Sequence, residues 1–398
     1  MKPGPLNGIR ILDVSWVGVG CIATWLLADL GAEVIKIEPV NGSDNLRTLA
    51  PHVDGVGINH LVFDRYKKSL PLDLRTEAGR EAFRAVADTA DAVIEGMRTG
   101  VADRLEIGAS ALRARNPRLT YITLPGYGSG GPLSSVAGHD INFDAVAGLL
   151  SLTWPGPAGP PMVQASDYFG ATLAALATIT GVLQARQSGE GLAAESSLFD
   201  GALFSMVIPQ AQRLMLGVDF GPTVHPLIGM WACYSVYECA DGKSVAVGAL
   251  EPHFWKRFCE VTGLDDQGAQ YDPKRQDWLR EQIANLMRTR TRDEWVEVFG
   301  TEDVCASPVL TIAEALDHPH VRARGNITKV SHPSGAVLEA PAGPLRFDSP
   351  SAAAEPAQVP HLGEGARELL AEVGYTDERI DQLIDEGAVY APRRGDGE

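Results

Sequence analysis

The chain has 398 residues, of which 45% are hydrophobic and 21% charged, and it carries a formal net charge of −17. These proportions exclude a disordered or fibrous chain and suit a globular protein with two domains, or one large domain with an insertion. The acidic balance argues against a nucleic-acid or anionic-membrane surface, since both need a basic footprint, and any anionic ligand therefore requires a local basic pocket.

Residues 9–14 form a compact apolar run that reads as a buried strand. Gly18-Val-Gly20 follows, then helical spacing over 22–30, a stop at Gly31 and a second strand over 33–38. The turn fits Gly-x-Gly-x-x-Ala through Gly18, Gly20 and Ala23, and Glu38 ends the second strand. That is the pattern of a dinucleotide site, with a pyrophosphate at the helix N-terminus and the acidic residue on a ribose, so NAD is one candidate ligand. Against it, the helix is short, Trp16 and Val17 crowd the turn, and nothing downstream suggests a hydride acceptor. The same glycines serve equally well in a tight turn with no nicotinamide.

Further along, an amphipathic segment over 77–89, a strand over 92–94, a helix over 109–115 and a strand over 119–124 continue the alternation. The fold class is therefore α/β, Rossmann-like, with a mostly parallel sheet and helices on its faces. Residues 151–161 read as a Pro/Gly-rich surface loop, and 171–187 as a helix apolar nearly all round and hence buried. Its longest nearly uninterrupted apolar stretch, 171–183, is shorter than a membrane span, and no apolar signal core opens the chain. Residues 1–216 are assigned to a large domain, 217–233 to a linker, 234–330 to a small α+β domain opening on a hairpin around Asp241-Gly242, and 331–398 to a return to the large domain. The five scattered cysteines contain no Cys-x-x-Cys pair, which fits reduced thiols, a cytoplasmic setting and no zinc site. His318-Pro-His320 lacks further ligands at useful spacing, so no metal centre is expected.

The chemistry concentrates between 121 and 170. His139 and Asp167 both stand at loop-to-helix junctions, where side chains face a cleft and a proton can be moved. Asp140 and Asp167 also suit helix N-caps. Glu251 follows an apolar strand and precedes Pro252 at the mouth of a helix. Basic residues gather at Arg65, Lys67 and Lys68 and again at Arg98 and Arg104, where an anionic cofactor could dock or solvent could be faced. Gly126 to Gly131 also fits Gly-x-Gly-x-x-Gly, but Pro132 follows in place of a helix, so it reads as a closely packed turn.

Assembled, these stretches resemble the family III CoA-transferases, and within them most resemble the α-methylacyl-CoA racemase branch. The resemblance lies in Pro5-Leu-Asn-Gly-Ile-Arg-Ile-Leu-Asp13, in Ala28 through Glu38, in Arg98-Thr-Gly-Val-Ala-Asp-Arg-Leu105 and in Gly126-Tyr-Gly-Ser-Gly-Gly-Pro132. The branch-specific matches are Ala137-Gly-His-Asp-Ile-Asn142 and Val247-Gly-Ala-Leu-Glu251. The resemblance implies an interlocked homodimer, an acyl-CoA substrate and no prosthetic group. It places CoA against Arg104, Arg98, Lys67, Val17 and Gly18, and gives catalysis to His139 and Asp167 with support from Asp140 and Glu251. In a racemase His139 and Asp167 exchange an α-proton; in a transferase Asp167 attacks the thioester and no histidine is needed.

Overall fold

The computed structural model describes residues 4–16, 18–153, 163–219, 225, 227, 229–347 and 355–392. The chain forms two compact units, one from Met1–Met206 with Arg324–Glu398 and one from Val207–Ala323. The division therefore falls after 206 and 323, where the sequence reading places it at 216 and 330. Most of the 151–161 loop lies outside the described residues, as do Val17 and parts of the 217–233 linker.

The first unit is built on six parallel strands: β1 (Arg10–Val14), β2 (Glu33–Glu38), β3 (Lys68–Pro71), β4 (Ala92–Glu95), β5 (Thr120–Thr123) and β6 (Ala193–Glu195). Their order across the sheet is β3-β2-β1-β4-β5-β6, so the chain winds outward from β1 in both directions. The helices that cover the sheet or border the site are α1 (Val19–Asp29), α2 (Glu77–Ala87), α3 (Asp140–Ala147), α4 (Ala165–Ser188), α5 (Leu198–Ser205), α6 (Ala366–Glu372) and α7 (Asp377–Asp385).

Strand alternation assigns the two faces. Ile11, Val34, Ile94 and Ile122 share one core with Val19 and Ile22 of α1 and Ala171, Ala174 and Val182 of α4. Leu12, Ile35, Val93 and Tyr121 share the other with Phe83 of α2, Leu369 and Leu370 of α6 and Leu383 of α7. Both faces are covered, which is why the strands read as continuous apolar runs. Each buried Val, Leu, Ile or Phe among them contributes about 1.5–3 kcal/mol.

The longest helix departs from expectation. It spans 24 residues, starting before 171, and is long and apolar enough by length and composition to cross a membrane. It is also not buried all round: Ala171, Ala174, Thr178 and Val182 face the sheet while Leu176 and Leu183 are exposed. The apolar composition hides two faces with different environments.

A second correction concerns charge. Lys67, expected to meet an anionic cofactor, is spent inside the fold. Its ammonium donates to Asp13 Oδ2 at 2.9 Å, Thr24 Oγ1 at 2.8 Å and Asp64 Oδ1 at 3.2 Å. Lys36 donates to the same Asp64 at 2.9 Å and faces Asp44 at 3.3 Å. Glu38, the candidate ribose ligand, is equally committed: Arg47 holds both its oxygens at 2.6 and 2.9 Å, and Ser69 Oγ donates to one of them. With both oxygens engaged and the side chain buried, Glu38 does not face a ribose, and the nicotinamide reading loses its acidic residue.

In the second unit β7 (Tyr234–Glu238), β8 (Ser244–Gly248) and β9 (Ala306–Pro308) form an antiparallel sheet in the order β9-β8-β7. The hairpin expected around Asp241-Gly242 is the β7–β8 pair. Trp255, Phe258, Trp295 and Phe299 form the core beneath it.

Removing one partner from a buried ion network strands the opposite charges. Lys67→Met, which leaves Asp13 and Asp64 under-compensated, is expected to lower stability by about 3–5 kcal/mol in urea unfolding; an effect below about 1 kcal/mol, as for a surface pair, would contradict the network's role.

Candidate functional site

The site grows from the loop after β5. Gly126 and Gly138 both press on Phe143: a Cβ on either would come within 2.7–2.8 Å of its ring. Phe143 is buried, and Tyr127 meets its edge at 4.8 Å between ring centroids. One aromatic ring thus clamps the glycine-rich turn to the start of α3. The turn's far side is held by Glu195, at the end of β6, whose carboxylate accepts from Ser129 N at 2.9 Å.

His139 occupies the N-cap of α3 in extended conformation, and its amide donates to Asn142 Oδ1 at 3.0 Å. Asp140, expected as a cap, is instead the first helical residue. His139 is exposed. Likewise Gln164, not Asp167, caps α4, and Asp167 lies within the helix's first turn.

Asp140 joins the two helices. Its Oδ1 accepts from Ser166 Oγ at 2.6 Å and from the Asp167 amide at 3.3 Å. The bridge brings His139 and Asp167, 28 positions apart in the sequence, onto one local framework. Asp167 also abuts α1: Gly18, with φ of 63°, caps that helix, and a Cβ there would lie 3.3 Å from Asp167 Oδ2. Any larger residue at Gly18 would be strained in backbone and crowd the carboxylate.

Burial pushes the Asp167 carboxyl up to about 7, with the nearby Asp140 and Asp144 adding to the rise. Asp144, which the sequence reading passed over, is buried on α3 and is pushed up to about 6, again first by burial and then by Asp140. Three carboxyls crowded at two helix starts cannot all ionise freely. The i, i+4 spacing of Asp140 and Asp144 was the available signal, since it sets both on one helix face.

Arg98 and Arg104 are exposed on the segment that follows β4, at the carboxyl edge of the sheet. Gly18 and the turn after β5 open from that same edge, where α/β proteins bind ligands. Glu251 belongs to the second unit, where it is the exposed N-cap of the helix Pro252–Thr262 and its carbonyl accepts from Trp255 N at 3.0 Å. Among the described residues no group of three or more His, Cys, Asp or Glu could hold a metal ion.

A doubly wound α/β unit with titrating side chains and exposed arginines at its carboxyl edge has the make-up of an enzyme that handles an anionic ligand. Comparison with known proteins makes this specific: residues 6–366 match CoA-transferase family III, and the chain belongs to that family. It is 32% identical to the α-methylacyl-CoA racemase of Mus musculus, over 95% of this chain and 96% of that protein. It is 28% identical to the acetyl-CoA:oxalate CoA-transferase of Acetobacter aceti, over 93% of this chain and 96% of the relative. A crystal structure of a CaiB/BaiF family protein from Brucella suis superposes with a TM-score of 0.79 at 26% identity, covering 94% of this chain and all of that one.

The raised Asp167 carboxyl has a thermodynamic consequence. A carboxyl that titrates at about 7 when folded, against 3.8 ordinarily, is penalised as pH rises through that interval, and the whole penalty is present above 7. Asp167→Asn is therefore expected to stabilise the protein at pH 8 by on the order of 1–2 kcal/mol, allowing for partial exposure, with the gain vanishing near pH 4. Urea unfolding at both pH values checks this; a gain independent of pH would show that the carboxyl is not raised.

Proposed function

We propose that the chain is an acyl-CoA racemase that inverts the α-carbon of a 2-methyl-branched thioester by moving protons between His139 and Asp167. The supporting observation is that Asp167, held up to about 7 by burial and by its carboxylate neighbours, keeps a proton to give at neutral pH. An imidazole can take or give a proton in the same range. One group removes the α-proton and the C–H electron pair moves onto the thioester as an enolate. The other group returns a proton on the opposite face. The N-terminal turn of α1, opened by Gly18 beside Asp167, offers backbone N–H donors for the developing oxyanion. Arg104 and Arg98 would take the CoA phosphates, in the way exposed guanidiniums pair with phosphate oxygens.

A second reading has its own support. The helix N-terminus next to Asp167 favours an anionic carboxylate there, and the Acetobacter aceti relative is a transferase. In that chemistry an Asp167 oxygen attacks the thioester carbon, the C–S bond breaks, CoA leaves as thiolate, and a mixed anhydride remains for the acceptor acid. It needs Asp167 ionised, which its crowding by Asp140 and Asp144 opposes.

The active form is proposed to be a homodimer, a reading supported by the exposed Leu176 and Leu183 of α4 and Phe204 of α5 in the first unit, and by Leu214, Met215 and Leu216 in the second. The five free cysteines support a cytoplasmic setting.

The test is mass spectrometry of a single-enantiomer 2-methylacyl-CoA incubated in deuterated water with a free carboxylic acid present. Deuterium gain at the α-carbon with epimerisation is expected, and His139→Ala should lower both by about 10²–10⁴-fold. CoA transfer to the acid with the α-proton retained would overturn the racemase reading and make Asp167 a nucleophile.

A further inference from the structure

The fold balances its buried cations with carboxylates. Lys36 and Lys67 lie among Asp13, Asp44 and Asp64. Arg292 in the second unit is equally buried and pairs with Asp293 and Glu314, each at 2.8 Å. Arg65 breaks this pattern. It is 0% exposed, yet its Nε, Nη1 and Nη2 have no hydrogen-bond partner among the described residues. Its guanidinium carbon lies 4.8 Å from the centroid of the Trp25 ring on α1. The indole N–H of Trp25 is a second buried donor without a partner among the described residues. Around them the surroundings are apolar: Phe63, closing the short helix Ile58–Phe63, meets the indole edge-on at 5.6 Å between ring centroids, and Trp25 belongs to the core beneath α1.

A cation moved from water into such surroundings is heavily penalised unless an opposite charge accompanies it. The face of Trp25 offsets part of the penalty by cation–π attraction, but a ring face carries no net charge. Burial pulls the guanidinium below its ordinary proton affinity, and the charges of Asp29 and Tyr66 offset only part of that. Water can accept from these N–H groups without balancing the charge.

We propose that Arg65 and the indole N–H of Trp25 form a buried site for one small monovalent anion of about chloride size, which supplies the missing negative charge behind α1. Guanidinium and indole both carry their N–H bonds in plane, so an ion at the rim of their contact accepts from each. Enclosure selects the occupant. With Arg65 0% exposed and Trp25 8% exposed, no side chain of a second copy and no phosphate ester reaches the guanidinium in this fold. A monatomic ion needs only a local opening to enter. The site is also separate from the proposed acyl-CoA chemistry. Arg65 precedes β3 and so lies toward the amino edge of the sheet, whereas Gly18 and Asp167 meet where α1 begins, at the carboxyl edge. The anion therefore acts on stability, whichever reaction the family site performs.

The experiment follows the Tm of the full chain at fixed ionic strength while sodium chloride replaces sodium gluconate, whose anion is too large for the site. Wild type is expected to gain about 2–4 °C, saturating with chloride, as for a ligand at roughly ten times its Kd. Arg65→Met, which keeps an alkyl stem without the charge, should gain nothing from chloride. Trp25→Phe, which keeps a ring without the N–H, should need several-fold more chloride for half of the gain. No chloride dependence in wild type, or an equal rise in Arg65→Met, would overturn the proposal. Should Arg65→Met fail to fold, wild-type crystals soaked in sodium bromide decide the matter. An anomalous bromide peak beside the Arg65 guanidinium and the Trp25 indole supports the site, and water there with bromide only on the surface overturns it.

Discussion

The ammonium of Lys67, enclosed between Asp13 and Asp64, is the contact on which the geometry of the site depends. Asp13 lies near the end of β1, and its other oxygen accepts from the amide and hydroxyl of Ser15. Lys67 also donates to Cys21 O and Thr24 Oγ1 of α1, the helix that Gly18 caps, and Gly18 borders Asp167. A buried charge cluster therefore sets the position of a helix start, and the helix start sets the space around a titrating carboxyl. Buried ion networks of this kind add little net stability over apolar packing but penalise every arrangement that leaves one charge alone. Here the penalised alternatives are those in which α1 shifts relative to β1 and β3.

Against that fixed wall, the other half of the site is adjustable chemistry. Asp140 joins α3 to α4 through two hydrogen bonds, so His139 and Asp167 inherit their placement from one carboxylate. The clamp of Phe143 under Gly126 and Gly138 holds the preceding loop by shape alone. Shape fixes the loop, whereas the Asp140 carboxylate both positions Asp167 and raises its carboxyl, so placement and protonation are coupled there.

Protonation is also where the two activities found among the relatives part company. A racemase needs a carboxyl that carries a proton during part of its cycle; a transferase needs a carboxylate free to attack. The same aspartate can serve either, and its neighbours decide which form is populated near neutral pH. In this chain those neighbours are two further aspartates on one face of α3, both of which raise the carboxyl.

The sequence by itself determined the α/β class, because apolar runs alternating with helical patterns bury both faces of a parallel sheet under helices, and β1, β2, β4 and β5 lie where those runs are. It also determined the family, since the matching segments run along nearly the whole chain, and it singled out His139, Asp140 and Asp167 by their junctions. What it could not supply was partnership. Lys67 and Arg104 are both basic residues in an acidic chain, and only the folded chain shows one enclosed by carboxylates and the other exposed. Glu38 closed a dinucleotide pattern on paper and is consumed by Arg47 in three dimensions. Helix α4 read as apolar nearly all round and buried, yet one face of it is buried while Leu176 and Leu183 are exposed. Asp144 looked like an ordinary helix residue until packing buried it. Charge, burial and proton affinity are set by contacts between residues distant in the chain, and those contacts exist only once the sheet and its helices have assembled.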